Sequence, residues 1–169
     1  MHTHIFDLVA LDSSTNTGIA IALLLLLLLL LWLKYRREPG RGHYVAMALT
    51  GALLVFGSWS WVAALQAELT LDTRELKLDI PFYTLSLPRD EILSTGVRRL
   101  DFALEPEFKP LYRRNGMELP GLHLGWFTLQ DGRKALMMTG SVEPVLIPTR
   151  AGYVVIVSVA DADRLMGLL

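Results

Sequence analysis

Apolar positions follow two regimes along the chain: two nearly unbroken blocks between residues 17 and 65, then short alternating runs to the end. From residue 19 to residue 33 no polar side chain interrupts the first block, and residues 23–31 are all leucine. At 1.5 Å rise per residue, the roughly 17–20 residues that cross a hydrocarbon core of about 30 Å are supplied by residues 17–34. Each leucine near a span's centre favours insertion by about 0.5 kcal/mol, so this run contributes on the order of −5 kcal/mol. A helix buried in a soluble core keeps a polar face, and this segment has none. Residues 44–65 form a second uncharged block with many small side chains, among them Ala46, Gly51 and Gly57. Ala48 and Ala52 stand one turn apart, a spacing that lets another helix approach closely, and the leucine-rich first helix is the expected neighbour.

Residues 35–43 join the blocks, and Pro39-Gly40 there breaks the helix so that the chain can turn back. A connection this short predicts an antiparallel transmembrane hairpin over residues 17–66. Lys34, Arg36, Arg37 and Arg41 concentrate positive charge at the bend, which the positive-inside rule assigns to the cytoplasm. Trp32, Tyr35 and Tyr44 fall at that border, and Trp59 and Trp61 at the other, the depths of aromatic belts. Residues 1–16 carry Asp7 and Asp12 and no Lys or Arg, so they are expected as a short extracytoplasmic N-terminus. The first block is expected to stay uncleaved, because acids precede it and bases follow it, the reverse of a signal peptide.

From residue 68 the pattern changes to period two. Leu69 and Leu71, then Leu76, Leu78 and Ile80, alternate with polar residues, as in strands with one buried face. Residues 82–87 and 96–102 read as further strands, and residues 105–121, with three prolines and Asn115-Gly116, as an irregular stretch holding a tight turn. Apolar runs at 122–130 and 133–139 flank Asp131-Gly132, which predicts a two-residue hairpin. Residues 145–147 and 153–159 predict a second hairpin, and Asp161 the cap of a short closing helix. About seven short strands in roughly 100 residues imply a sandwich or partly open barrel.

Charge and composition narrow the chemistry. The formal net charge is −1 and there is no cysteine, which removes disulfides and thiolate chemistry, and no charge excess calls for nucleic acid. No nucleotide-binding or hydrolase motif is present. His2 and His4 lack a further ligand nearby, His123 falls in a predicted strand, and Glu105 and Glu107 read as solvated loop acids. No catalytic residue, metal site or cofactor is expected. The basic residues Arg98, Lys109, Arg113, Arg114 and Arg133 are the candidates for binding an anion or partner, were the fold to bring them together. Trp126 is expected in the core.

Several motifs resemble bacterial pleckstrin-homology-like domains. They are Phe82-Tyr83 with Leu87-Pro88 and Ile92; Arg114-Asn115-Gly116 with Leu119-Pro120-Gly121 and Gly125-Trp126-Phe127; and Ile147-Pro148-Thr149 with Gly152-Tyr153. The likeness covers residues 68–169. It implies a seven-stranded, partly open bent barrel with a C-terminal capping helix, attached to membrane spans. It implies no ligand and no catalytic residue. The phosphoinositide site of eukaryotic relatives needs a dense basic loop between the first two strands, which this sequence lacks.

These readings lead to a multi-pass protein of the bacterial inner membrane with its β domain outside the cytoplasm. Its expected role is that of a non-catalytic module binding a lipid headgroup or a protein partner, a second copy of itself included. The alternative is a structural subunit of a larger membrane complex assembled through its transmembrane helices. An enzyme would require His123 and the basic residues to converge in one pocket.

Overall fold

The computed structural model describes residues 3–8, 13–35, 40–80, 83–119 and 122–169. Arg36 and Arg37 of the basic bend lie outside the described residues, as do His2, Phe82, Pro120, Gly121 and the side chain of Arg41. The elements run β1 (His4–Asp7), α1 (Ser13–Lys34), α2 (Arg41–Leu65), β2 (Glu68–Leu71), β3 (Glu75–Ile80), β4 (Tyr83–Pro88), β5 (Arg98–Arg99), β6 (Pro110–Leu119), β7 (Leu122–Leu129), β8 (Lys134–Thr139), β9 (Val145–Pro148), β10 (Tyr153–Val157) and α3 (Ala162–Leu168). They form two compact units: α1 with α2, and the strands with α3.

Both long helices are apolar and long enough to cross a membrane, and only 6% of the most apolar stretch of each is buried. That exposure is the opposite of a soluble core helix. Each helix begins a few residues before its apolar block, at Ser13 and at Arg41, because backbone bonding continues through polar residues beyond the apolar stretch. The two helices meet along the stripe Thr50, Leu54, Gly57 and Trp61, which recurs every three to four residues. A Cβ on Gly57 would come within 3.1 Å of the Leu23 side chain. Trp61 donates its indole N–H to the Asn16 side-chain oxygen at 3.0 Å, which draws the indole into the helix pair. Ala48 and Ala52 do not serve as the contact expected of them. They are exposed, since two residues from Thr50 is about 200° around the helix. Trp32, Tyr35, Tyr44 and Trp59 are exposed near the helix ends.

In the β unit, one sheet has the order β1-β2-β3-β4 and the other β5-β9-β10-β8-β7-β6. The segment read as a short tail thus supplies a strand. His4–Asp7 pairs antiparallel with Glu68–Leu71, so the chain leaves this sheet before α1 and returns to it after α2. The four-stranded sheet keeps Leu69, Leu71, Leu76, Leu78 and Leu87 inward, while Glu68, Lys77, Thr84 and Ser86 stand on its outer side. The six-stranded sheet is apolar on both faces. Leu136, Met138, Val155 and Val157 meet the first sheet and α3, and Ala135, Met137, Val154 and Ile156 meet Leu100 and Phe108. An apolar run buried on both sides belongs in a sheet's middle, and β10 accordingly lies parallel to β8 and antiparallel to β9.

Several sequence expectations change here. Neither sheet closes, so the expected seven-stranded barrel is not what the pairing gives; ten strands are described, in two open sheets. The strand expected over 96–102 shrinks to β5, after a 3-10 turn at Ser94–Gly96. The hairpin between β7 and β8 has the predicted place, but its loop takes three residues. Gly132 donates its N–H to the Leu129 carbonyl at 3.0 Å and sits at φ 86°, and Leu129 is bonded to Arg133. The hairpin of β9 and β10 and the Asp161 cap of α3 form as read, the cap accepting from the Arg164 N–H at 3.2 Å.

The largest departure is residues 110–119, read as irregular and in fact β6. Its pairing with β7 slips once at Leu111 and again at Arg114, each an extra residue bulged from the ladder. Asn115-Gly116 is no tight turn. Gly116 lies opposite Gly125, at φ 142° and 112°, and a Cβ on Gly125 would fall 2.7 Å from the Gly116 Cα. Glycine here permits two backbones to approach, and the bulges absorb the twist that results.

Candidate functional site

A cleft of about 870 Å³ opens at one end of the six-stranded sheet, lined by Arg114, Asn115, Trp126, Arg133, Lys134 and Tyr153 together with the Asp131-Gly132 and Ala151-Gly152 turns. Strand register explains the assembly. Thr128 of β7 pairs with Lys134 of β8, and Lys134 with Tyr153 of β10. Paired residues share a face, and Trp126, two residues before Thr128, shares it as well. Arg114 is the residue extruded by the second bulge of β6. Trp126 and Tyr153 meet edge to face with ring centroids 5.4 Å apart. Both are half-buried against the core, so Trp126 is at once a packing residue and a wall of the cleft.

Charge in the cleft is unevenly compensated. Arg133 is tied to Asp131, Nε to Oδ2 at 2.6 Å, and its guanidinium lies over the Phe108 ring at 4.7 Å. Arg114 is held by neutral groups instead: its Nε donates to the Thr128 hydroxyl at 2.6 Å, and it lies 5.8 Å from the Tyr112 ring. Among the described residues, neither Arg114 nor Lys134 has an acidic partner. The Tyr112 phenol is shifted below its ordinary pKa by its hydrogen bond to Thr128 and then by the Arg114 charge. The Tyr153 phenol is shifted upward by burial and by Glu91. Fixed cations beside an aromatic wall suit an anionic group carried on a larger body.

Of the five basic candidates, Arg114 and Arg133 meet in the cleft, and Arg98, Lys109 and Arg113 do not line it. Arg98 is taken by a bidentate pair with Glu105 and lies over Phe108 at 5.5 Å, so Glu105 is an ion-pair partner and not a solvated acid. Arg113 pairs with Phe127, whose side chain occupies the opposite face of the sheet from Trp126. Arg99 is paired with Asp163 at 2.9 Å. Lys134, which follows Arg133 in the sequence, belongs to the site as well. Register places it between Thr128 of β7 and Tyr153 of β10, and Tyr153 is the residue that only the alignment of β8 with β10 reveals.

His123 lines a different, smaller cavity of about 310 Å³ with Phe102, Thr139 and Glu143. Its Nδ1 is 3.0 Å from the Thr139 hydroxyl and its Nε2 is 3.7 Å from Glu118. Burial lowers its pKa below 6.5, and Glu118 offsets this only in part. His123 therefore lies apart from Arg114, Arg133 and Lys134. His4 contacts Arg164 at 3.2 Å, and among the described residues no three His, Asp or Glu side chains are grouped to hold a metal.

No family model matches this chain, and neither a curated protein nor a solved structure matches it significantly.

Proposed function

We propose that this protein is a multi-pass, membrane-anchored, non-catalytic binding module of the bacterial inner membrane. The observation that carries the reading is the pairing of β1 with β2 on either side of two membrane-length helices. A chain that returns to its starting sheet after two crossings keeps that sheet on one side of the bilayer. The basic bend between the helices favours the cytoplasm, which leaves the β unit outside. Held at that surface, the unit engages a lipid headgroup or a protein partner, and tethering lets a weak site suffice. Kinship with bacterial pleckstrin-homology-like domains is part of the proposal. The small β unit closed by α3 supports it, while the open sheets and the parallel β8–β10 pair are where the chain departs from that pattern.

A reporter enzyme that works only outside the cytoplasm, fused after Leu169, is expected to be active. Activity of a cytoplasm-only reporter at the same position would overturn the orientation. The second reading, a structural subunit of a membrane complex, is favoured by the outward small face of α2. Ala48 and Ala52 are exposed there beside a notch of about 440 Å³ between Gly51, Val55, Phe56 and Trp59. Replacing both alanines with leucine should then reduce the size of the native complex on gels, and an unchanged size would count against it.

A further inference from the structure

We infer that the cleft beside β6 is a phosphate-binding site, with Arg114 and Lys134 holding the phosphate oxygens and the Trp126–Tyr153 wall taking the body that carries them. This rests on the reading of the β unit as a binding module and names what that module binds. Three cationic side chains and one carboxylate line the cleft, and the carboxylate is engaged by Arg133. The remaining two cations match a group carrying more than one negative charge. A single carboxylate would satisfy the arginine fork and leave the lysine without a partner.

Arg114 has the features of a prepared anion receptor. It stands on a β-bulge, a device that re-aims a side chain, and a β-branched hydroxyl fixes its Nε. Arg98, by contrast, is neutralised by Glu105, and Arg99 by Asp163. Among the described residues, Arg114 and Lys134 stand without an acidic partner beside the aromatic wall. The volume, about 870 Å³, far exceeds one phosphate and falls in the range of sites for drug-sized ligands, so the phosphate is expected to be esterified to something larger. The half-buried indole and phenol offer that remainder an apolar surface with a polar edge.

The test is calorimetric titration of the full-length protein in non-ionic detergent with dihexanoyl phosphatidate, with inorganic phosphate, and with hexanoate. Phosphatidate is expected to bind saturably and hexanoate not to bind. Arg114→Gln and Lys134→Gln should each weaken phosphatidate by about tenfold or more, which is about 1.4 kcal/mol, while Arg113→Gln, which leaves the cleft untouched, should not change it. Trp126→Phe separates the sources: weaker phosphatidate with unchanged inorganic phosphate supports an esterified ligand. Equal affinity for the two probes, insensitive to Trp126→Phe, supports the site with free phosphate as its ligand. Absence of saturable binding by either phosphate probe overturns the inference, as does binding that survives both charge removals in variants that melt like the parent. Neither failure touches the membrane-anchored reading, which the reporter fusions decide independently.

Discussion

Gly125→Ala is the substitution whose cost the structure defines best. Gly125 sits at φ 112°, and its new Cβ would lie 2.7 Å from the Gly116 Cα and 3.2 Å from the Tyr83 ring. Two penalties combine. A side chain at positive φ costs about 1–2 kcal/mol, and forcing a methyl group into packed backbone costs about 1–3 kcal/mol more. The total of roughly 2–5 kcal/mol is a large part of the 5–15 kcal/mol that holds a typical domain together. Gly132→Ala supplies the control, because Gly132 sits at φ 86° with nothing within 4 Å of its Cβ. It carries the conformational penalty alone, about 1–2 kcal/mol. For a domain of roughly 100 residues, 1 kcal/mol moves the melting temperature by about 4–8 °C. Gly125→Ala should therefore melt at least about 4 °C below Gly132→Ala when the full chain in detergent is followed by near-ultraviolet circular dichroism. Equal melting temperatures for the two variants would refute the close approach of β6 to β7, and with it the account of how the Arg114 bulge is held.

Gly57→Leu should separate α1 from α2, because even a Cβ there meets Leu23 at 3.1 Å; loss of a disulfide cross-link engineered between the helices reports it, and an undiminished yield would contradict the packing. The His123 pKa lies below 6.5 in the folded protein, so as pH falls through that value the unfolded chain takes up the proton first and stability declines. His123→Gln should flatten the dependence of denaturation midpoint on pH between about 7 and 5, and an unaltered slope would dismiss the buried neutral imidazole. Phe6, 3% exposed, anchors β1, and Phe6→Ala should cost about 3–5 kcal/mol, seen as faster amide exchange over residues 4–8 with β7 and β8 still protected.

What could be read from residues alone was whatever depends on nearest neighbours in the chain. The two apolar helices, the period-two strands at Leu69–Leu71 and Leu76–Ile80, the hairpin at Asp131-Gly132 and the Asp161 cap are all local. The errors came where distant segments decide. Residues 110–119 carry turn-forming residues, yet pairing along β7 overrides that preference, and Asn115-Gly116 records a close strand crossing. The cleft was half legible for the same reason. Arg114 stands on β6, Arg133 and Lys134 follow the Asp131-Gly132 turn of the β7–β8 hairpin, and Tyr153 joins them only through the parallel contact of β8 with β10. Arg98 was misjudged because Glu105, seven residues away, folds back onto it across a loop.

β1 was invisible for a different reason, and that reason bears on function. His4–Asp7 pairs with a strand about 60 residues downstream, and closing a flexible loop of that length costs roughly 4 kcal/mol beyond a constant. Burying Phe6 and Leu8 returns about 3–6 kcal/mol, so the strand would be marginal on a flexible connection. The intervening chain is instead a helix pair whose ends are joined by the Trp61–Asn16 hydrogen bond, forty-five residues apart in sequence. Once α1 and α2 pack, much of the loop is already closed, and β1 docks at little further entropic cost. Pairing of the two apolar helices then favours the completed four-stranded sheet. β1 is therefore expected to be fully formed only when α1 and α2 are paired.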